Sequence, residues 1–156
     1  MESNPPKINP KPTWLEIAIG FVVLVGISMV VVPQFSRAAG EGRLAQLSDT
    51  LYLVRCAIDL YQADHEGLLP GQAKAGQPVR PDLFVRDLTS PGPAGASAYL
   101  RPFPGNPFIS QDDRRNTITC VHDPNMMPNG TEGTAWWFNS ATGDFRACDN
   151  QFHTVY

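Results

Sequence analysis

The stretch WLEIAIGFVVLVGISMVVVPQF, residues 14–35, decides how this chain is read. It is a nearly unbroken apolar run with one carboxylate, Glu16, near its start and one proline, Pro33, near its end. A helix crossing a bilayer needs about 20 predominantly apolar residues, and this run supplies them. An acid within the apolar flank is costly unless it has a partner, which makes Glu16 a candidate functional residue. Thr13 lies three residues before Glu16, the spacing of a capping box, so a purely structural role is also open to that carboxylate. The competing reading is a secretory signal peptide with Lys7 and Lys11 in its n-region. The length of the run and the lack of a clear small-x-small cleavage pattern after it favour a retained anchor.

Working outward, residues 1–12 hold four prolines and read as an irregular cytoplasmic leader. Positive charges are nearly balanced across the run, with Lys7 and Lys11 before it and Arg37 and Arg43 after it. A short tail is easily retained in the cytoplasm, and a domain with three cysteines suits an oxidising space. These arguments place the N-terminus in the cytoplasm and the larger domain on the other side of the membrane. The expected divisions are the leader 1–12, a transmembrane helix 13–35, an extramembrane helical half 36–66 and a loop-rich domain 67–156.

The chain has 156 residues, a net charge of -3, 15 prolines and 13 glycines. No basic patch interleaved with aromatics is present, which argues against nucleic acid as a partner. The proline and glycine content fits long loops around a small sheet. Past the apolar run, Leu44, Leu47, Leu51, Val54, Ile58 and Tyr61 recur at helical spacing, with Leu53, Ala57 and Leu60 widening the stripe. Gly67 suits a left-handed helix terminus. A short helix is predicted from Pro81 to Leu88, with Leu83, Phe84 and Leu88 inward. Strands are predicted over 116–121, 135–138 and 144–148, the last two joined as a hairpin by Asn139-Ser140-Ala141-Thr142-Gly143-Asp144. The predicted fold class is α+β, a long N-terminal transmembrane helix packed on a small antiparallel sheet.

Several of these pieces together resemble a known family. The acid Glu16 early in the apolar helix, followed by Pro33-Gln34-Phe35, resembles the N-terminal helix of type IV pilins and of the major pseudopilins of type II secretion. Leu60-Tyr61-Gln62-Ala63-Asp64 with Gly67 and Pro70 is similar to their helix-to-loop junction. Tyr99-Leu100 with Pro104 and Asn106-Pro107-Phe108 resembles their buried loop, and Phe138-Asn139 with Thr142-Gly143-Asp144 their final hairpin. The resemblance implies a pilin-like subunit, single-pass in a bacterial inner membrane with its larger domain periplasmic or extracellular, in which Glu16, Pro33 and Phe35 serve assembly. Partners would be membrane lipids and copies of itself or other pilin-like or membrane subunits. The chain departs from the family at the processing site, where Lys11 and Pro12 stand in place of the glycine and phenylalanine around the cleaved bond.

Cys120 and Cys148 lie in or beside predicted strands, and a disulfide between them would stabilise an exported domain by about 2–4 kcal/mol; two unpaired thiols are the alternative. Cys56, on the long helix, reads as a buried inert thiol rather than an intermolecular bridge. His65, His122 and His153 show no metal-like spacing. The segment 122–130, HDPNMMPNG, leaves calcium open as a ligand, since some pseudopilins bind calcium in C-terminal loops, but it matches no recognised calcium loop. Asp112-Asp113-Arg114-Arg115 reads as a solvated turn. No Ser-His-Asp arrangement, phosphate loop or CxxC pair is present, so no enzyme, catalytic residue or cofactor is expected. The expected function is a structural, membrane-anchored, pseudopilin-like subunit. The alternative is a non-polymerising single-pass protein whose outer domain binds a ligand or a partner protein.

Overall fold

The computed structural model describes residues 13–92 and 95–156, with the side chains of 28–38 left out. Its elements are α1 (Trp14–Asp64), α2 (Pro81–Thr89), β1 (Ile118–Val121), β2 (Trp136–Asn139) and β3 (Phe145–Ala147). The chain divides into two units, Met1–Glu41 and Gly42–Tyr156.

In the first unit, the start of α1 is closed by a reciprocal cap. The Thr13 N–H donates to Glu16 Oε2 at 2.8 Å, and the Glu16 N–H donates to Thr13 Oγ1 at 3.4 Å. Glu16 therefore satisfies an amide of its own helix. The expected membrane span over 13–35 is corrected: among the described residues, no helix is long and apolar enough to cross a membrane. The single-pass inner-membrane placement and the lipid partners expected from that span fall with it. The leader, including Lys11 and Pro12, and the side chains of Pro33 and Phe35 lie outside the described residues.

The second unit is a small α+β domain. One face of α1 enters its core through Leu47, Leu51, Val54, Ala57, Ile58 and Tyr61, which recur every three or four residues. Leu53 and Leu60, expected to widen the buried stripe, are instead more than half exposed, at 52% and 59%. The helix ends where Gly67 takes φ +84° and its N–H donates to Gln62 O at 2.8 Å. Proline at its first turn suits α2, whose Phe84 and Leu88 are buried.

The sheet order is β1-β2-β3. β2 and β3 form the expected antiparallel hairpin, with Trp136 opposite Ala147 and Phe138 opposite Phe145. β1 runs parallel to β2, with Ile118 opposite Trp136 and Cys120 opposite Phe138. The sheet is therefore mixed, not antiparallel as expected. The reason lies in the connection: residues 122–135 return the chain to the sheet end where β1 began, and a parallel pair requires such a long crossover.

Alternation along β2 sends Trp136 and Phe138 into the core with Phe84, Phe145 and the α1 stripe. Phe84 and Phe138 lie 4.8 Å apart between ring centroids, and Trp136 and Phe145 5.4 Å. Trp137 takes the opposite face yet is also fully buried, so β2 is covered on both sides. Arg146, the cross-strand partner of Trp137, shares that face and reaches Thr154 O at 3.4 Å. Arg55 of α1 donates to Phe145 O and to Tyr156 O, tying helix, sheet and C-terminal turns together.

The disulfide between Cys120 and Cys148 is also corrected, since all three cysteines are free thiols. Strand order explains why. Cys120 is on β1 and Cys148 follows β3, with β2 between them. Two inter-strand spacings of about 4.8 Å already exceed the roughly 7 Å Cα separation that a disulfide tolerates.

Candidate functional site

The loop and strand ends around one cleft of the second unit are held by Asn106, a fully buried polar residue. Its Nδ2 donates to Ala135 O at 3.1 Å and to Asp149 Oδ1 at 2.9 Å. Its Oδ1 accepts the Phe108 N–H at 2.9 Å, and its own N–H donates to Arg115 O at 2.7 Å. One side chain thus fastens the loop after Phe103 to the start of β2 and to the segment after β3. Trp136 adds a second fastening through Nε1, which donates to Pro104 O at 3.1 Å.

Beside this staple lies a cleft of about 260 Å³ lined by Phe108, Ile109, Ser110, Gln111, Arg114, Gly133, Thr134, Cys148 and Asp149. Phe108 and Ile109 give it an apolar wall. Arg114, from the turn 111–114, reaches over it to donate from Nη2 to Gly133 O at 2.6 Å. Gly133 has φ +73°, and a Cβ there would stand 2.9 Å from Arg114 Nη2, so glycine leaves room for the guanidinium.

The acids around the cleft are already engaged. Asp149 accepts from Asn106, from Asn150 Nδ2 at 2.9 Å and from His153 Nδ1 at 2.6 Å. Its side chain is 5% exposed. The His153 ring lies 4.1 Å from that of Phe108, which backs the apolar wall. Glu132 accepts the Asn129 and Thr131 amides at 3.0 and 2.9 Å and the Cys148 thiol at 2.8 Å. Burial works to raise the Glu132 carboxyl, but the thiol and these amides together hold it below its ordinary value. Burial, reinforced by the bond to Glu132, pushes the Cys148 thiol up to about 12. Burial alone does the same to Cys120, also to about 12. Neither sulfur is a thiolate near neutral pH, so neither is an activated nucleophile.

The other residues singled out in the sequence are dispersed. His65 stacks on Tyr61, His122 Nδ1 meets Ser140 Oγ at 2.9 Å, and His153 pairs with Asp149. Among the described residues, no group of three His, Cys, Asp or Glu side chains could hold a metal ion. The segment 122–130 is gathered around Asn139, whose Nδ2 takes the carbonyl oxygens of Asp123 and Met126 at 2.7 and 3.4 Å. Within Asp112–Arg115, Asp112 and Arg115 form an exposed ion pair at 3.4 Å. Sequence reasoning missed Asn106, Asn139 and Asp149 as organisers. The only local signal was an asparagine before Pro107 and another closing the strand Trp136–Asn139.

No family model, curated protein or solved structure matches this chain. The resemblance to pilins and pseudopilins is therefore corrected, and with it the expected subunit role, the secretion setting and self-assembly through an N-terminal helix. What the fold defines is a small α+β domain with a three-stranded open sheet.

Proposed function

We propose that the unit Gly42–Tyr156 is a non-catalytic binding module whose cleft takes a small organic anion, a carboxylate on a short apolar body. The observation that carries this reading is the commitment of charge around the cleft. Of the two charged lining residues, Asp149 is occupied by three donors, whereas Arg114 spends a single Nη2 contact on Gly133 O. A guanidinium carries five N–H donors in a fork that matches a carboxylate. Phe108 and Ile109 offer the apolar side, and about 260 Å³ suits a ligand smaller than a typical drug-sized molecule. The non-catalytic part of the reading is supported by the thiols, held protonated, and by His153 Nδ1, whose described partners are Asp149 and Asn150 rather than a hydroxyl or thiol.

Calorimetric titration of the full chain with butyrate, and with butanol as the uncharged control, tests the proposal. Saturable binding of butyrate alone, weakened at least about tenfold in Arg114→Gln, is the expected result, since a charge-assisted bond is worth roughly 1.5–3 kcal/mol. Equal binding of butanol, or full affinity in Arg114→Gln, would sink it.

A further inference from the structure

A second pocket, distinct from the Arg114 cleft, lies at the C-terminal end of α1. It has a volume of about 100 Å³ and is bordered by Tyr61, His65, Asp87, Ser90 and Tyr99 among others. We propose that this pocket binds a primary alkylammonium group, the chemistry of a lysine side-chain end or a small amine.

Four observations converge on a cation. The first is aromatic: Tyr61 and His65 stack at 3.8 Å, and Tyr99 meets Tyr61 edge-on at 5.5 Å and His65 at 6.3 Å. Ring faces attract ammonium groups through their quadrupoles. The second is acidic: Tyr99 Oη donates to Asp64 Oδ2 at 2.7 Å and Tyr61 Oη to Asp87 Oδ2 at 3.4 Å, so a carboxylate stands behind each phenol. Burial and the neighbouring carboxylates raise both phenols, that of Tyr99 to about 12, and their protons stay in place.

The third observation is the histidine tautomer. His65 Nδ1 lies 2.8 Å from Tyr61 O. A carbonyl oxygen has no proton to give, so Nδ1 is the donor, and the tautomer that carries its proton there presents Nε2 as an acceptor. The fourth is the helix itself, whose C-terminal carbonyls carry partial negative charge that favours cations within the last turn. Arg86, whose side chain is 63% exposed, pairs with the other oxygen of Asp87 at 2.9 Å. The pocket volume admits an ammonium and one or two methylenes, which selects a primary amine over a bulky quaternary one.

The test is a chemical-shift titration of the full chain with n-butylammonium, with n-butanol as the uncharged isostere. The expected result is a saturable response at His65, Ser90 and Tyr99 to the amine alone, with a dissociation constant on the order of 10 mM, the scale of a few weak cation–π contacts. His65→Ala should weaken it about tenfold, and His65→Phe, which keeps a ring but no acceptor, by less. Unchanged indole signals of Trp136 and Trp137 would show that these variants fold. A matching response to n-butanol, no saturable response, or equal affinity in His65→Ala overturns the proposal.

Discussion

Asn106 and Asp149 are joined by a 2.9 Å hydrogen bond that closes the loop before the first strand onto the segment after the last one. Both are almost completely removed from solvent, Asn106 at 0% and the Asp149 side chain at 5%. Three further contacts of Asn106, to Ala135, Phe108 and Arg115, make it the polar centre of the domain. Replacing it with leucine strands the Phe108 amide and takes one donor from Asp149, while the Ala135 carbonyl keeps the Cys148 N–H at 3.1 Å. An unsatisfied buried group costs about 1–3 kcal/mol, so Asn106→Leu should lower stability by roughly 2–4 kcal/mol in urea denaturation. A change below about 0.5 kcal/mol would contradict its placement at the centre of the network.

Gly130 tests how tightly the loop 122–134 is seated. Its φ is +75°, and a Cβ would overlap the backbone of Asn150 and Gln151. Gly143 also has a positive φ, +81°, but open space around it. Gly143→Ala should therefore cost only the left-handed conformational penalty, about 1–2 kcal/mol, whereas Gly130→Ala should cost distinctly more because backbone must move. Equal midpoint shifts in the two variants would show that the loop is not held against the C-terminal turns.

The thiols give a pH signature. Their ordinary value is 9.0, and both Cys120 and Cys148 are raised to about 12 in the folded chain. The unfolded chain thus loses these protons first on going alkaline. Their contribution is fully present below pH 9 and is lost as pH rises toward about 12. Tyr61 and Tyr99 are raised as well and act in the same direction. The urea midpoint should fall through this window, and less steeply in a Cys120→Ala/Cys148→Ala double variant. Below pH 9, iodoacetamide should leave Cys120 and Cys148 largely unmodified in the folded chain and alkylate them once urea unfolds it.

At the start of α1, Thr13 and Glu16 cap each other. Thr13→Ala should cost the local helix about 1 kcal/mol, seen as faster amide exchange over the first turn. Glu16→Ala should accelerate exchange at the same amides. Unchanged exchange in both variants would mean that the cap does not hold in solution.

The elements were more legible in the sequence than their arrangement. Trp136-Trp137-Phe138 and the turn through Gly143 announce a hairpin, because apolar alternation and turn chemistry are local. The direction of β1 is set by where the 122–135 connection closes, and nothing within Ile118–Val121 records that. Cys120 and Cys148 invited a disulfide because linear order hides the strand lying between them. Leu53 and Leu60 fit a broad helical stripe by residue type, yet the stripe that is buried is the narrower one through Leu47, Leu51, Val54, Ala57, Ile58 and Tyr61. The apolar run from Trp14 supports several readings at once, and resemblance in spacing did not choose correctly among them. The Asn106–Asp149 pair has no local signature, since it forms only after the sheet has brought its two partners together.

The central claim is that Arg114 recognises an anion over the cleft, and the guanidinium itself can report it. Nitrogen-15 side-chain spectra of the full chain, recorded during titration with butyrate, follow the Arg114 Nη groups directly. A saturable shift of the Arg114 signals is expected as a carboxylate engages the N–H groups not committed to Gly133 O, accompanied by shifts at Ile109, Gly133 and Thr134 and absent with butanol. Arg114 signals that stay still while butyrate binds elsewhere, or that move equally with butanol, would contradict it.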